Sequence, residues 1–381
     1  MGMKIGIVTY WKSGCNYGEQ LQLFALQEYL RSLGHEPFLI RYDYEADLIY
    51  GSRPLPVRVI RACNPRRLAG HFITKRNNKE FIRDCTEHPR GFESFREQHL
   101  SMSRIYSSID DLRNDPPEAD LYIAGSDQIW NTFGGGLIEM RNRIAAFFLD
   151  FGKEGVKKIS YAASWGKDDL PDDQAEYIKP FLAKFDAVSV REETGIGICS
   201  KLGREDAVLS PDPVLLHGAQ KYRSLYEEAG VKRREGRYVF FYYLNNGVNF
   251  DRQKVFDWAR EKGLETVYVS DDWHKGFERT FPGIPEWIRL IDDAEYVVTN
   301  SYHCGIFALL FGKKFGIIRR TGAHAGMNSR LLTLFELCGT EPRFIDSEDF
   351  AALDRPADMP DPEKLKAAKR PEDVIRAAFQ G

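Results

Sequence analysis

Lys4-Ile5-Gly6-Ile7-Val8-Thr9-Tyr10, followed by the loop Trp11 to Gly18 and then by leucines at 23, 26, 30 and 33, is the stretch on which the fold turns. The first segment is a short apolar run that reads as a buried strand. The leucines recur at spacings of three and four, which puts them on one stripe of a helix. Gly34 fits a helix C-cap, and Pro37-Phe38-Leu39-Ile40 returns as a second strand. Strand, helix and strand within forty residues is the repeating unit of a parallel sheet covered by helices.

The same alternation continues outward. Asp120 to Ala124 runs into Gly125-Ser126-Asp127-Gln128-Ile129-Trp130-Asn131, Lys158 to Ala163 into Ser164-Trp165-Gly166, and Ala187 to Val190 into Arg191-Glu192-Glu193-Thr194. Ser210-Pro211-Asp212-Pro213 reads as a turn, and the polar stretch from Gly218 to Gly236 reads as the linker. A second alternation follows. It has strands at Tyr238–Leu244, Thr266–Val269, Glu295–Thr299 and Phe315–Ile318, with helices from Asp251 to Lys262 and from Cys304 to Phe311. The expected class is therefore α/β, two Rossmann-like domains facing a central cleft, with boundaries at 1–218 and 219–381.

Composition agrees with that class. The 381 residues are 43% apolar and 29% charged, with a formal net charge of −3. Such a chain can fill two cores, and it lacks the basic excess of a dedicated nucleic-acid binder. No run approaches the roughly 18 uncharged apolar residues of a membrane span. The six cysteines, at 15, 63, 85, 199, 304 and 338, form no CxxC pair. A reduced, cytoplasmic protein is expected. One stretch departs from the average: between Arg53 and Arg96 there are eleven Arg or Lys against four acidic residues. It reads as a basic helical insertion at about 53–100. Two readings stand, a solvated surface and contact with an anionic partner, either a membrane face met peripherally or an anionic substrate.

In open α/β sheets ligands sit at the carboxyl ends of strands, so the loops after the strands carry the candidate site. Asn16 and Gly18 precede free amides at a helix N-terminus, which suits an anion, although Asn16 can equally serve as a cap. Arg191 follows a strand directly and can clamp a carboxylate or phosphate, or pair with Glu192 or Glu193. Asp127 can act as a base, accept from sugar hydroxyls or cap a helix. His303, between a strand end and a helix start, is the foremost acid–base candidate. Arg319, Arg320, Asn328 and Arg330 form a second cationic group. Cys304 beside His303 leaves a Cys-His nucleophile open. Gly134-Gly135-Gly136 reads as flexible or as a ligand loop. No metal-ligand spacing is present, and P-loop, zinc-protease and hydrolase-elbow motifs are missing.

Five segments in order carry a family resemblance: Asn16-Tyr17-Gly18 through Leu26, Gly125 to Asn131, Ser189-Val190-Arg191-Glu192, Asp212-Pro213-Val214-Leu215-Leu216, and Thr299 to Leu309. Together they resemble the polysaccharide pyruvyl transferase family. The resemblance implies a GT-B-like fold and transfer of a pyruvyl group from phosphoenolpyruvate to a sugar, forming a cyclic ketal and releasing phosphate. It implies no cofactor beyond that donor. It places His303 in the catalytic role, and Asp127, read above as able to act as a base, is the second catalytic candidate. The donor set it suggests is Arg191, Asn16, Gly18, Ser301, Asn300, Arg319, Arg320, Asn328 and Arg330, and the acceptor set is Asp127, Gln128 and Ser164. The implied partners are phosphoenolpyruvate and a sugar acceptor, free or lipid-linked, with no nucleic acid; the oligomeric state stays open. Ser301 stands where family members often carry an arginine, and Cys304 where glycine is usual. A GT-B glycosyltransferase using a nucleotide sugar and a non-catalytic carbohydrate-binding protein are the alternatives.

Overall fold

The computed structural model describes residues 2–47, 83–131, 137–244, 250–271, 276–320 and 328–380. The basic stretch through residue 82 and the glycine run at 134–136 lie outside these described residues. The first sheet holds β1 (Lys4–Val8), β2 (Glu36–Tyr42), β3 (Met102–Tyr106), β4 (Leu121–Ala124) and β5 (Lys157–Ser160) in the order β3-β2-β1-β4-β5. All pairings are parallel. The short β6 (Ser189–Val190) and β7 (Val208–Leu209) pair with each other, and single bridges tie them to the β5 side. The second sheet holds β8 (Tyr238–Tyr243), β9 (Glu265–Ser270), β10 (Tyr296–Thr299), β11 (Lys314–Ile318) and β12 (Phe344–Ile345) in the order β12-β11-β10-β8-β9, again all parallel.

Burial explains why these segments are strands. Every residue of β4, β8 and β10 is buried, as a parallel sheet covered on both faces requires. In each sheet the strand order reverses between two central strands, β1 and β4 in the first and β8 and β10 in the second. Such a reversal opens a crevice beyond the carboxyl ends of the strands. The segments that follow β1, β4 and β10 carry Gly18, Asp127 and His303, Gly18 and His303 in the first turn of a helix.

Two segments differ from the sequence reading. The polar stretch after Gly218 contains a helix, Ala219–Glu228, which buries Tyr222, Leu225 and Tyr226 on one side. Its polar residues are the outer face of that helix. The last helix, Pro371–Gln380, returns from the second half and lies against β5 of the first sheet. Val374, Ile375 and Ala378 join the same apolar cluster as Ile159 and Tyr161.

The halves meet through side chains at the start of the first helix, Tyr17–Ser32. The Tyr17 ring stacks on Trp287 at 4.9 Å with 6° between planes, and its hydroxyl donates to the Pro282 carbonyl at 2.7 Å. Among the described residues, no helix is long and apolar enough to cross a membrane.

Candidate functional site

The loop after β1 is held by its own polar groups. Asn16 Oδ1 accepts from the Glu19 amide at 3.4 Å, so Asn16 caps the helix. Glu19 Oε1 accepts from the Ser13 amide at 2.9 Å, and Arg96 donates to the carbonyls of Trp11 and Ser13 at 3.1 and 3.2 Å. Burial pushes the Glu19 carboxyl up to about 8, against the pull of the Ser13 amide, so it carries its proton at neutral pH. Glu19 was not legible as a site residue in the sequence, because it looks like an ordinary first-turn acid.

Gly18 is needed for a different reason than helix amides alone. A Cβ at this position would lie 2.2 Å from Nδ1 of His303 and 2.4 Å from its Cγ. The histidine ring of the second half therefore rests on the bare Cα of the first. Gly18→Ala is expected to displace the ring and lower turnover by about tenfold to a hundredfold, since misplacement of about 1 Å at a reacting group has effects of that size. Steady-state kinetics beside circular dichroism checks this; unchanged kcat would show that the contact is not needed for function.

Asp212 joins the remaining groups. It caps the one-turn 3₁₀ helix Pro213–Leu216, with Oδ1 accepting from the Val214 amide at 3.0 Å. Its Oδ2 accepts from Arg191 Nη1 at 2.9 Å and from the Ser126 hydroxyl at 3.2 Å, and lies 3.4 Å from His303 Nε2. Burial alone would raise this carboxyl, but His303 and Arg191 outweigh it and hold Asp212 well below the usual carboxylate range. The contact to His303 is electrostatic rather than a well-aligned hydrogen bond, since Nε2 finds no acceptor of good geometry.

Arg191 is fully buried among acids. Besides Asp212 it reaches Asp127 Oδ1 from Nη2 at 3.4 Å, with Glu192 Oε2 3.8 Å from Nε. Its guanidinium also lies 4.6 Å from the ring centroid of Tyr302. Asp127 has φ of 82°, a left-handed backbone that costs a non-glycine residue about 1–3 kcal/mol. The strained turn aims its carboxylate at Arg191 and at its own neighbour, the Gln128 amide, at 2.7 Å. Arg320 and Arg330 approach the same region from β11 and from the helix Ser329–Cys338, both buried. Burial lowers both guanidinium groups, Arg320 to about 10 and Arg330 to about 9.

His303, Asp127, Gly18, Arg191, Arg320 and Arg330 thus converge. Other candidates are occupied elsewhere. Ser301 Oγ accepts from the Cys304 amide at 3.4 Å as the cap of the helix Tyr302–Leu310. Asn300 pairs both ways with the backbone of Leu244, and Asn328 with the backbone of Arg320. Ser164 donates to Glu192 Oε1 at 3.0 Å, which also accepts the amides of Trp165 and Gly166. Gln128 accepts from Asn131 Nδ2 at 3.1 Å. Arg319 is exposed and lies over Phe344 instead of joining Arg320. Cys304 is sealed in the core, and burial raises its thiol far above the range in which a thiolate forms, which removes the Cys-His nucleophile. Asp212, Glu192 and Tyr302 were not foreseen as site residues. For Asp212 the only signal was its place in the Asp-Pro-Val-Leu-Leu segment. Among the described residues, no group of three or more His, Cys, Asp or Glu is placed to hold a metal ion.

A family model for polysaccharide pyruvyl transferases matches residues 16–321. No curated protein matches the chain. Solved structures with a similar course of the chain include a UDP-GlcNAc 2-epimerase of Methanocaldococcus jannaschii in complex with UDP-GlcNAc and UDP. It is 12% identical, with a TM-score of 0.48 and 100% of each chain covered. An alpha-glucosyltransferase in complex with UDP and a 13-mer DNA is 10% identical, with a TM-score of 0.47, covering 100% of this chain and 99% of its own.

Proposed function

Since the chain belongs to the polysaccharide pyruvyl transferase family, we propose that its crevice moves the enolpyruvyl carbons of phosphoenolpyruvate onto a pair of sugar hydroxyls as a cyclic ketal. The observation that carries this reading is the arrangement around His303: a histidine between the two halves, backed by an ionised, buried Asp212 and flanked by Arg191.

The chemistry fits these groups. One sugar hydroxyl bonds to C2 of the donor and loses its proton. The methylene carbon gains a proton and becomes the methyl group. The second hydroxyl closes the ring at C2 as the C2–O bond to phosphate breaks, and its proton leaves with the phosphate. Asp212 at Nε2 favours a proton on that nitrogen, so Nδ1, over Gly18, is the nitrogen that exchanges protons with the ligands. Arg191 supplies positive charge for the donor, while Asp127 is the carboxylate placed to accept from a sugar hydroxyl.

The test is direct. The protein with phosphoenolpyruvate and a panel of sugars is expected to give equal amounts of phosphate and of a product heavier by pyruvate less one water. Mass spectrometry and a phosphate assay read both. Glycosyl transfer from a nucleotide sugar, with no ketal from any acceptor, would overturn the reading.

A further inference from the structure

Among the described residues, Arg330 is the buried arginine with no hydrogen-bond or ion-pair partner. The other deeply buried arginines have acceptors: Arg191 has Asp212, Arg343 has Asp358 and two carbonyls, Arg96 has Glu93 and two carbonyls, and Arg90 has Asp84. Arg330 is 4% exposed, and among the described residues no acceptor or carboxylate is within hydrogen-bond or ion-pair reach of it. Its Nε is sealed from solvent with nothing to donate to. Its guanidinium lies 5.4 Å from the centroid of the Tyr302 ring, which Arg191 also faces.

A lone buried guanidinium costs several kcal/mol unless something offsets it. Arg320 and Arg191 are near enough to repel it, and the weaker attraction of Asp127 and Glu192 does not outweigh them and the burial. A tight clasp keeps it in place: Asn328 bonds both backbone groups of Arg320 at 3.1 and 2.9 Å, and the Arg330 helix begins at the next residue. That helix has no side-chain cap, so its first-turn amides are also unsatisfied from that source.

We propose that Arg330 is the seat of an oxyanion, a phosphate or carboxylate group of the ligand, with Arg191 and Arg320 on its flanks and the Tyr302 ring beneath. A planar guanidinium binds either group in bidentate fashion, and such bonds are about twice as strong as neutral ones. The inference rests on the reading above only for the donor's identity. Ser301, spent on a helix cap, adds no charge beside His303, and Arg330 brings that charge from a different element.

Calorimetric titration in low-salt buffer with inorganic phosphate, pyruvate and phosphoenolpyruvate tests this, with Tm measured in parallel. Arg330→Met is expected to weaken phosphoenolpyruvate binding at least about tenfold. It is also expected to raise the Tm of the anion-free protein, because a buried charge with no direct partner among the described residues has gone. Loss of phosphate binding assigns the phosphate end; loss of pyruvate binding assigns the carboxylate end. Wild-type affinity for all three anions, or a lower anion-free Tm, overturns the proposal, and Arg330→Gln serves should the methionine variant not fold. The two readings fail separately: ketal formation by an Arg330→Met protein of unaltered affinity sinks only the seat. Anion binding that depends on Arg330, without ketal formation, sinks only the transferase chemistry.

Discussion

His303→Ala lowers kcat by at least about a hundredfold and leaves the fold in place. A positioned acid–base group contributes about 10²–10⁴-fold, and His303 is the titratable side chain that joins both halves of the crevice. The fold survives because Nε2 makes no hydrogen bond of good geometry, Gly18 offers only a Cα to rest on, and Asp212 keeps its bonds from Arg191, Ser126 and Val214 when the charge contact to the ring is lost. The loss should appear in kcat at saturating donor, since Arg191 and Arg330, the proposed donor-binding groups, keep their charge without His303. The measurement is ketal formation by mass spectrometry together with a thermal melt. Near-normal turnover in a folded variant would remove His303 from the mechanism.

Asp212→Asn is expected to strike both stability and turnover. Asp212 is buried and serves Arg191, Ser126, Val214 and His303 at once. Removing the charge leaves Arg191 short of its nearest counter-ion, and breaking a buried pair from one side costs about 3–5 kcal/mol. An asparagine amide facing Nε2 also disfavours a proton on that nitrogen, so Nδ1 takes it and the neutral ring can no longer act there as a base. A fall in kcat of about a hundredfold or more follows. There is also a pH signature. The folded carboxyl sits below its ordinary value of 3.8, so its contribution to stability is present above that value and is lost as pH falls through the lower, folded-state pKa. Urea unfolding between pH 7 and pH 3 should show the wild type losing more stability than the variant. Parallel curves would show that Asp212 is not held ionised by its neighbours.

The parts of the fold that the sequence reveals are those where one signal dominates. β1 and the helix after it show two clean periodicities joined by a short loop, and β8 and β10 are apolar because both faces are covered. β3 shows neither. It lies at the sheet edge, and only Tyr106 of its five residues is buried, so Met-Ser-Arg-Ile-Tyr offers no pattern to read. The site divides in the same way. Asp127, Arg191 and His303 stand where strands end, which topology marks out. Asp212 lies in a proline-flanked turn and acquires its importance from residues 21, 86 and 91 positions away, which no local pattern encodes. Arg319 and Arg320 look equivalent in a list of cations. Consecutive side chains leaving a strand point to opposite sides, so only one of them could face the crevice.

The helix Pro371–Gln380 places a condition on how the protein is made. It covers β5, yet it is synthesised only after the whole second sheet. While the ribosome adds the whole second half, Ile159 and Tyr161 lack the Val374 and Ile375 with which they later share an apolar cluster. The first half therefore emerges with an apolar flank open to chaperones, and it becomes a finished unit only when the second half is complete. A gene cut at the middle of the chain should give an N-terminal fragment that aggregates, and adding the C-terminal helix back on a tether is the way to rescue it.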